Sequence, residues 1–139
     1  MKLSIKPEKR SKEFKKHHIH GLPFEASFNE FTAIDPGDAH DHPFDFITHI
    51  LSGGYTERIY KIDDLGEVTI TDVERMPGTS HFVKATDIHQ IVRLHTGHCV
   101  TLSQTAGVCC FYIYSKALIN CFISFIVPIV ILVHFPFSS

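Results

Sequence analysis

The 139-residue chain predicts an all-β fold, a sandwich or barrel of short strands. Three observations carry this. Between residues 22 and 107 the apolar residues come in short β-branched or aromatic runs. Breakers separate those runs about every 8–12 residues, the spacing of sandwiches and barrels. No long amphipathic helix pattern and no internal repeat interrupts them.

The elements follow in order. Residues 1–21 read as a basic, flexible lead. Residues 1–20 hold seven Lys/Arg against Glu8 and Glu13, whereas the remainder holds six against thirteen acids. Within it, KRSKEFKKHH offers at most a short helix with a thin apolar face. The net charge of −2 gives the chain no general attraction for nucleic acid, so no such partner is expected. FEASFNEFTAID reads as one strand or two, and DPGD, Asp35 to Asp38, is a turn signal. The strand candidates FDFITHILS, YTERIYKI, EVTITDVER, SHFVKA, HQIVRL and CVTLSQTA come next. Gly53-Gly54, the Asp63–Gly66 stretch, Met76-Pro77-Gly78, Thr86-Asp87 and Thr96-Gly97 punctuate them. Gly53-Gly54 reads as a requirement of the turn rather than as part of a ligand site.

From Val108 the composition changes. Residues 108–139 are almost wholly apolar, with Lys116 their single formal charge. Residues 117–135 are long enough to cross a bilayer as a helix at about 1.5 Å per residue, with a kink at Pro128. Two readings fit this tail: a membrane anchor, or a non-native extension appended to a truncated domain. An ordinary core segment fits less well, because a barrel of this size has little room for it. The four cysteines, Cys99, Cys109, Cys110 and Cys121, lack zinc-type spacing. The first residues lack the apolar run of a signal peptide. Both point to a reduced, cytoplasmic setting.

The chain holds eleven histidines and no tryptophan. His40 and His42 stand two apart before Pro43. In extended backbone such a pair shares a face about 6.5–7 Å apart, and the two imidazoles can converge on one ion. Pro43 suits a strand entrance or edge. A third ligand must come from another strand. Each histidine also has a structural alternative, as a turn cap or as a strand-end residue bonded to a carbonyl. His49 alternates to the opposite face and reads as structural. His81, His95 and His98 lie near turns and read as solvated. His17, His18 and His20 read as surface residues of the lead. Asp41 and Asp45 flank the pair and are candidates to orient the imidazoles.

The spacing resembles the two motifs of the cupin superfamily, small jelly-roll barrels. On G-x5-H-x-H-x3-4-E-x6-G, His40, His42 and Gly53 fall in place, with Ile34 for the leading Gly and Phe46 for the Glu. On G-x5-P-x-G-x2-H-x3-N, Gly78 and His89 fall in place, with Lys84, Thr86 and Arg93 for the Pro, Gly and Asn. The stretches HDHPFDFITHILSGGYTE, ATDIHQIVRL and TLSQTAG look like a group of small cupin-domain proteins of bacteria and phages, and the resemblance covers residues 24–106. In that group the chain continues into a Trp-containing last strand, which this sequence lacks.

The resemblance implies a cupin-type jelly roll over residues 22–107, followed by an anomalous apolar tail that could be helical. It implies one divalent metal, Fe, Mn, Ni or Zn, held by His40, His42 and His89. With Phe46 in place of the carboxylate, Asp45 and Glu57 are the candidate oxygen donors. Asp45 needs a bulge at Pro43 to turn it to the histidine face. Arg93 would share the face of His89 by strand alternation and is a candidate to bind a substrate carboxylate. Three functions compete: a metal-dependent oxygenase or isomerase of a small molecule, a non-catalytic small-ligand module, and a truncated, inactive cupin. A homodimer and membrane contact through residues 117–135 complete the expected partners.

Overall fold

The computed structural model describes residues 3–9, 11–22, 24–34 and 38–105. It contains nine strands: β1 Ser4–Lys9, β2 Phe14–His20, β3 Ala26–Phe31, β4 Phe46–Ser52, β5 Tyr55–Ile62, β6 Val68–Arg75, β7 Ser80–Val83, β8 Ile88–Leu94 and β9 Cys99–Thr105. They form two antiparallel sheets, one ordered β1-β2-β3-β9-β4-β7 and one ordered β6-β5-β8. The described residues contain no helix, and the architecture is a cupin-type jelly roll. β4 to β9 coincide with the apolar runs read from the sequence, because short β-branched and aromatic runs bounded by breakers favour extended backbone.

The N-terminal residues differ from the expected flexible lead. Ser4–Lys9 and Phe14–His20 pair as a hairpin, Ser4 opposite His20, and β2 pairs in turn with β3, Ile19 opposite Ala26. The β3 edge acts as the template. Phe14 stacks on Phe31 at 4.8 Å, Ile19 is buried, and the His18 Nε2 approaches the Glu8 carboxylate at 2.6 Å. The Ser11 Oγ accepts the Glu13 and Phe14 N–H groups and closes the turn. Charge counting overlooked these strands because Lys and His mask a few well-placed apolar residues.

β4 and β5 lie in different sheets, and Gly53-Gly54 makes the corner between them. Both glycines have positive φ, 80° and 87°. A Cβ on Gly53 would overlap the His98 carbonyl oxygen, and one on Gly54 would stand 2.8 Å from the Arg75 carbonyl oxygen. The apolar core sits beside this corner, where Ile50, Tyr55 and Cys99 pack with Phe31, Ile91 and Leu94.

The expected tail, with residues 117–135, Cys109, Cys110 and Cys121, lies outside the described residues, as do residues 35–37 of the DPGD turn. Among the described residues no helix is long and apolar enough to cross a membrane.

Gly53→Ala therefore lowers the unfolding free energy by about 2 kcal/mol or more, combining left-handed strain with a backbone overlap. Urea denaturation checks this, and an unchanged midpoint contradicts it.

Candidate metal centre

The segment bearing His40 and His42 is laid along β8. His40 and His89 exchange both backbone hydrogen bonds at 3.0 Å, and the His42 N–H donates to the Ala85 carbonyl at 3.1 Å. This short antiparallel bridge brings the three rings together. The centroids are 5.1 Å apart for His40–His42, 5.3 Å for His40–His89 and 4.9 Å for His42–His89. One ligand nitrogen from each lies within 4.8 Å of the others, and the His42 and His89 Nε2 atoms are 2.7 Å apart.

Hydrogen bonds orient two of the rings. The His40 Nδ1 lies 3.2 Å from the Asp38 carbonyl oxygen. A carbonyl only accepts, so Nδ1–H donates and Nε2 keeps its lone pair. The His89 Nδ1 bonds the Glu57 carboxylate, which likewise frees Nε2. The third ring, His42, packs edge-on against Phe46 at 4.8 Å. Burial, followed by repulsion from His89 and His40, lowers the His42 pKa from 6.5 to about 4, and Lys16 adds to the effect. At neutral pH His42 is therefore an uncharged imidazole, the form that binds metal. Three imidazole nitrogens at this spacing fit one divalent ion, since bonds of about 2.0–2.2 Å bridge it with small ring movements.

Glu57 has a different role from that of oxygen donor. Its side chain is only 3% exposed, and both oxygens are engaged. One meets His89; the other receives the Arg75 Nε and Nη2 at 2.7 Å. Burial pushes this carboxyl upward, but the His89 hydrogen bond and the Arg75 guanidinium outweigh it and hold the pKa at about 2. A charged residue between Tyr55 and Ile59, at an inward position of an alternating strand, was the sequence signal for this role. Arg75 gave no such signal.

Asp45 lies outside the cluster. Its Oδ1 accepts the Ala85 N–H at 2.7 Å and pins the loop after His42 to the turn between β7 and β8. Arg93 is turned away from His89. Glu57 pairs with Ile91 but Thr56 pairs with Arg93, so Val92 is an extra residue in a bulge. The bulge reverses the alternation on which the expected role of Arg93 depended. Arg93 instead contacts Thr56 and Glu74 on the outer side, its side chain 65% exposed.

His49 is structural, bonded through Nδ1 to the Ser80 Oγ at 2.6 Å. His81 departs from the solvated reading. Its side chain is 9% exposed, its Nε2 stands 3.7 Å from Glu57, and neither ring nitrogen has a hydrogen-bond partner. Of the other two, His95 meets Glu74 at 2.5 Å and His98 meets Glu30 at 3.3 Å.

The three histidines border a cavity of about 570 Å³ that His81, Thr48 and Asn29 also line. Its volume suits a small molecule.

With this geometry in place, comparison with solved structures shows the fold. The chain resembles hydroxypropylphosphonic acid epoxidase from S. wedmorenis, at 14% identity and a TM-score of 0.56 over 73% of this chain and 55% of that one. It resembles structures of the DMSP lyases RdDddP and RnDddQII, at 13% identity and 0.56 over 75% and 57%. It also resembles KdgF from Halomonas sp., at 16% identity and 0.50 over 73% and 86%. At these identities the likeness shows the fold alone, and the chain has a cupin-type jelly-roll fold. It spans little more than half the length of the epoxidase and lyase chains. No family model and no curated protein matches the sequence.

Burial, reinforced by Arg75, lowers the His81 pKa from 6.5 to about 4. The unfolded chain therefore takes up this proton first, and stability falls as pH drops from 6.5 through 4, by up to about 3 kcal/mol from this residue. His81→Phe removes that share. Urea unfolding at pH 7 and pH 4 shows a smaller acid loss in the variant, and parallel losses contradict the assignment.

Proposed function

We propose that the chain binds one divalent metal ion through His40, His42 and His89 and acts on a small polar molecule in the adjoining cavity. The observation that carries this is the convergence of three imidazole nitrogens, with the His89 tautomer fixed by a buried carboxylate. A carboxylate behind a ligating histidine holds the ring in place and raises its basicity. The neutral three-nitrogen set suits Fe(II), Mn, Ni or Zn, and an Fe(II) form of HppE is among the solved neighbours. Such an ion supplies Lewis acidity or dioxygen activation. The chain's own residues would hold the ligand beside it, with Phe46 and the β4 wall limiting access of water.

The reaction class is that of a metal-dependent oxygenase, isomerase or lyase, since the neighbours include an epoxidase and lyases. Fold alone does not choose among these chemistries. A second reading, a metal-anchored module that binds without turnover, is favoured by Phe46 standing where the cupin motif has a carboxylate.

Metal analysis of the purified full chain after Fe(II) or Co(II) loading should give one equivalent per chain, lost in His89→Ala. Glu57→Gln keeps the stoichiometry but weakens affinity by about 10–100-fold. No uptake by the parent chain, or equal uptake by His89→Ala, overturns the reading.

A further inference from the structure

Most of the cavity wall is apolar, but away from the histidines one patch of it is polar in a way the fold does not require. Ser27 and Asn29 of β3 stand opposite Ser103 and Thr101 of β9, and Thr48 of β4 stands opposite Ser103. All five line the cavity. Their sheet neighbours Phe28 and Leu102 are fully buried on the other face. On β3 and β9 the sheet thus turns these oxygen-bearing side chains toward the cavity and Phe28 and Leu102 away from it.

These groups form one network. The Asn29 Nδ2 donates to the Thr101 Oγ1 at 3.2 Å and to the Ser103 Oγ at 2.9 Å, its Oδ1 accepts from the Ser27 Oγ at 3.3 Å, and the Thr48 and Ser103 hydroxyls are 3.0 Å apart. Asn29 spends both amide hydrogens here, yet the hydroxyl oxygens retain accepting capacity toward the cavity. Replacing mutually bonded buried polar groups with apolar ones of the same shape is close to neutral for stability. Folding therefore gives little reason for five polar residues at consecutive inward positions, whereas a ligand bearing hydroxyl groups does.

We infer that this wall selects a small polyhydroxylated ligand, whose hydroxyls bond Ser27, Asn29, Thr101 and Ser103 while its metal-binding end faces the three histidines. The inference deepens the metal-centre reading and rests on it only for the anchoring of that end. A site built to bond hydroxyl groups discriminates against an analogue lacking them, because its own polar groups are then left unmatched.

The test compares two six-carbon acids, gluconate and 2-hydroxyhexanoate. They share the carboxylate and the adjacent hydroxyl that can chelate an ion, and they differ in the remaining hydroxyls. Binding to the Co(II)-loaded full chain is followed by calorimetry, and by the shift of the Asn29 side-chain amide in NMR. Gluconate should bind at least tenfold more tightly and move the Asn29 amide. In Asn29→Leu the ratio should fall to within threefold through weaker gluconate binding, and Ser103→Ala should lower it in part. Should Asn29→Leu fail to fold, the parent ratio and Ser103→Ala decide. The inference is overturned if gluconate binding is undetectable, if 2-hydroxyhexanoate binds as tightly, or if both variants keep the parent ratio. Co(II) uptake is read separately from its absorption bands. A chain that takes no Co(II) contradicts the metal reading alone, and the same ratio measured on metal-free protein still decides the wall.

Discussion

The buried carboxylate of Glu57 is the constraint on which the rest of the site depends. An ionised carboxylate that is 3% exposed is sustained only by partners that replace its lost hydration. Arg75 from β6 and His89 from β8 supply them, and His81 approaches from β7 of the other sheet. The arrangement ties both sheets to one charge. It also dictates which nitrogen of His89 carries the proton, and so which nitrogen faces His40 and His42.

The molecule separates apolar and polar work along its interior. At the Gly53-Gly54 corner, Ile50, Tyr55 and Cys99 form the dry core. Farther along the same strands the inward positions become Thr48, Glu57, Thr101 and Ser103, and the interior opens into a cavity. Rigidity at the corner supports precision at the site, because β4 and β5 leave it in different sheets with a fixed direction. The backbone bridge between His40 and His89 then sets these two residues side by side, and the Asp38 carbonyl and the Glu57 carboxylate orient their rings.

Much of this was legible in the sequence. Short runs rich in Val, Ile, Thr and aromatics gave β4 to β9, because alternation and breakers are local properties. The three histidines could be grouped because the His-x-His pair and His89 match the spacing of a known motif. What escaped detection was non-local or depended on register. β1 and β2 exist because β3 offers them an edge, which no count of lysines reveals. Arg93 looked inward until a single extra residue, Val92, reversed its side. Asp45 looked like a ligand, but its loop gave it a backbone N–H to accept. Glu57 was noticed as a carboxylate, but its role came from Arg75 of the neighbouring strand, whose place beside it depends on register.

X-ray absorption spectroscopy on the Co(II)- or Fe(II)-loaded full chain tests the central claim most directly. The account predicts a coordination sphere with three imidazole nitrogens at about 2.0–2.2 Å, showing the multiple-scattering pattern of histidine. A sphere of oxygens alone, or one containing fewer than three imidazoles, would contradict it.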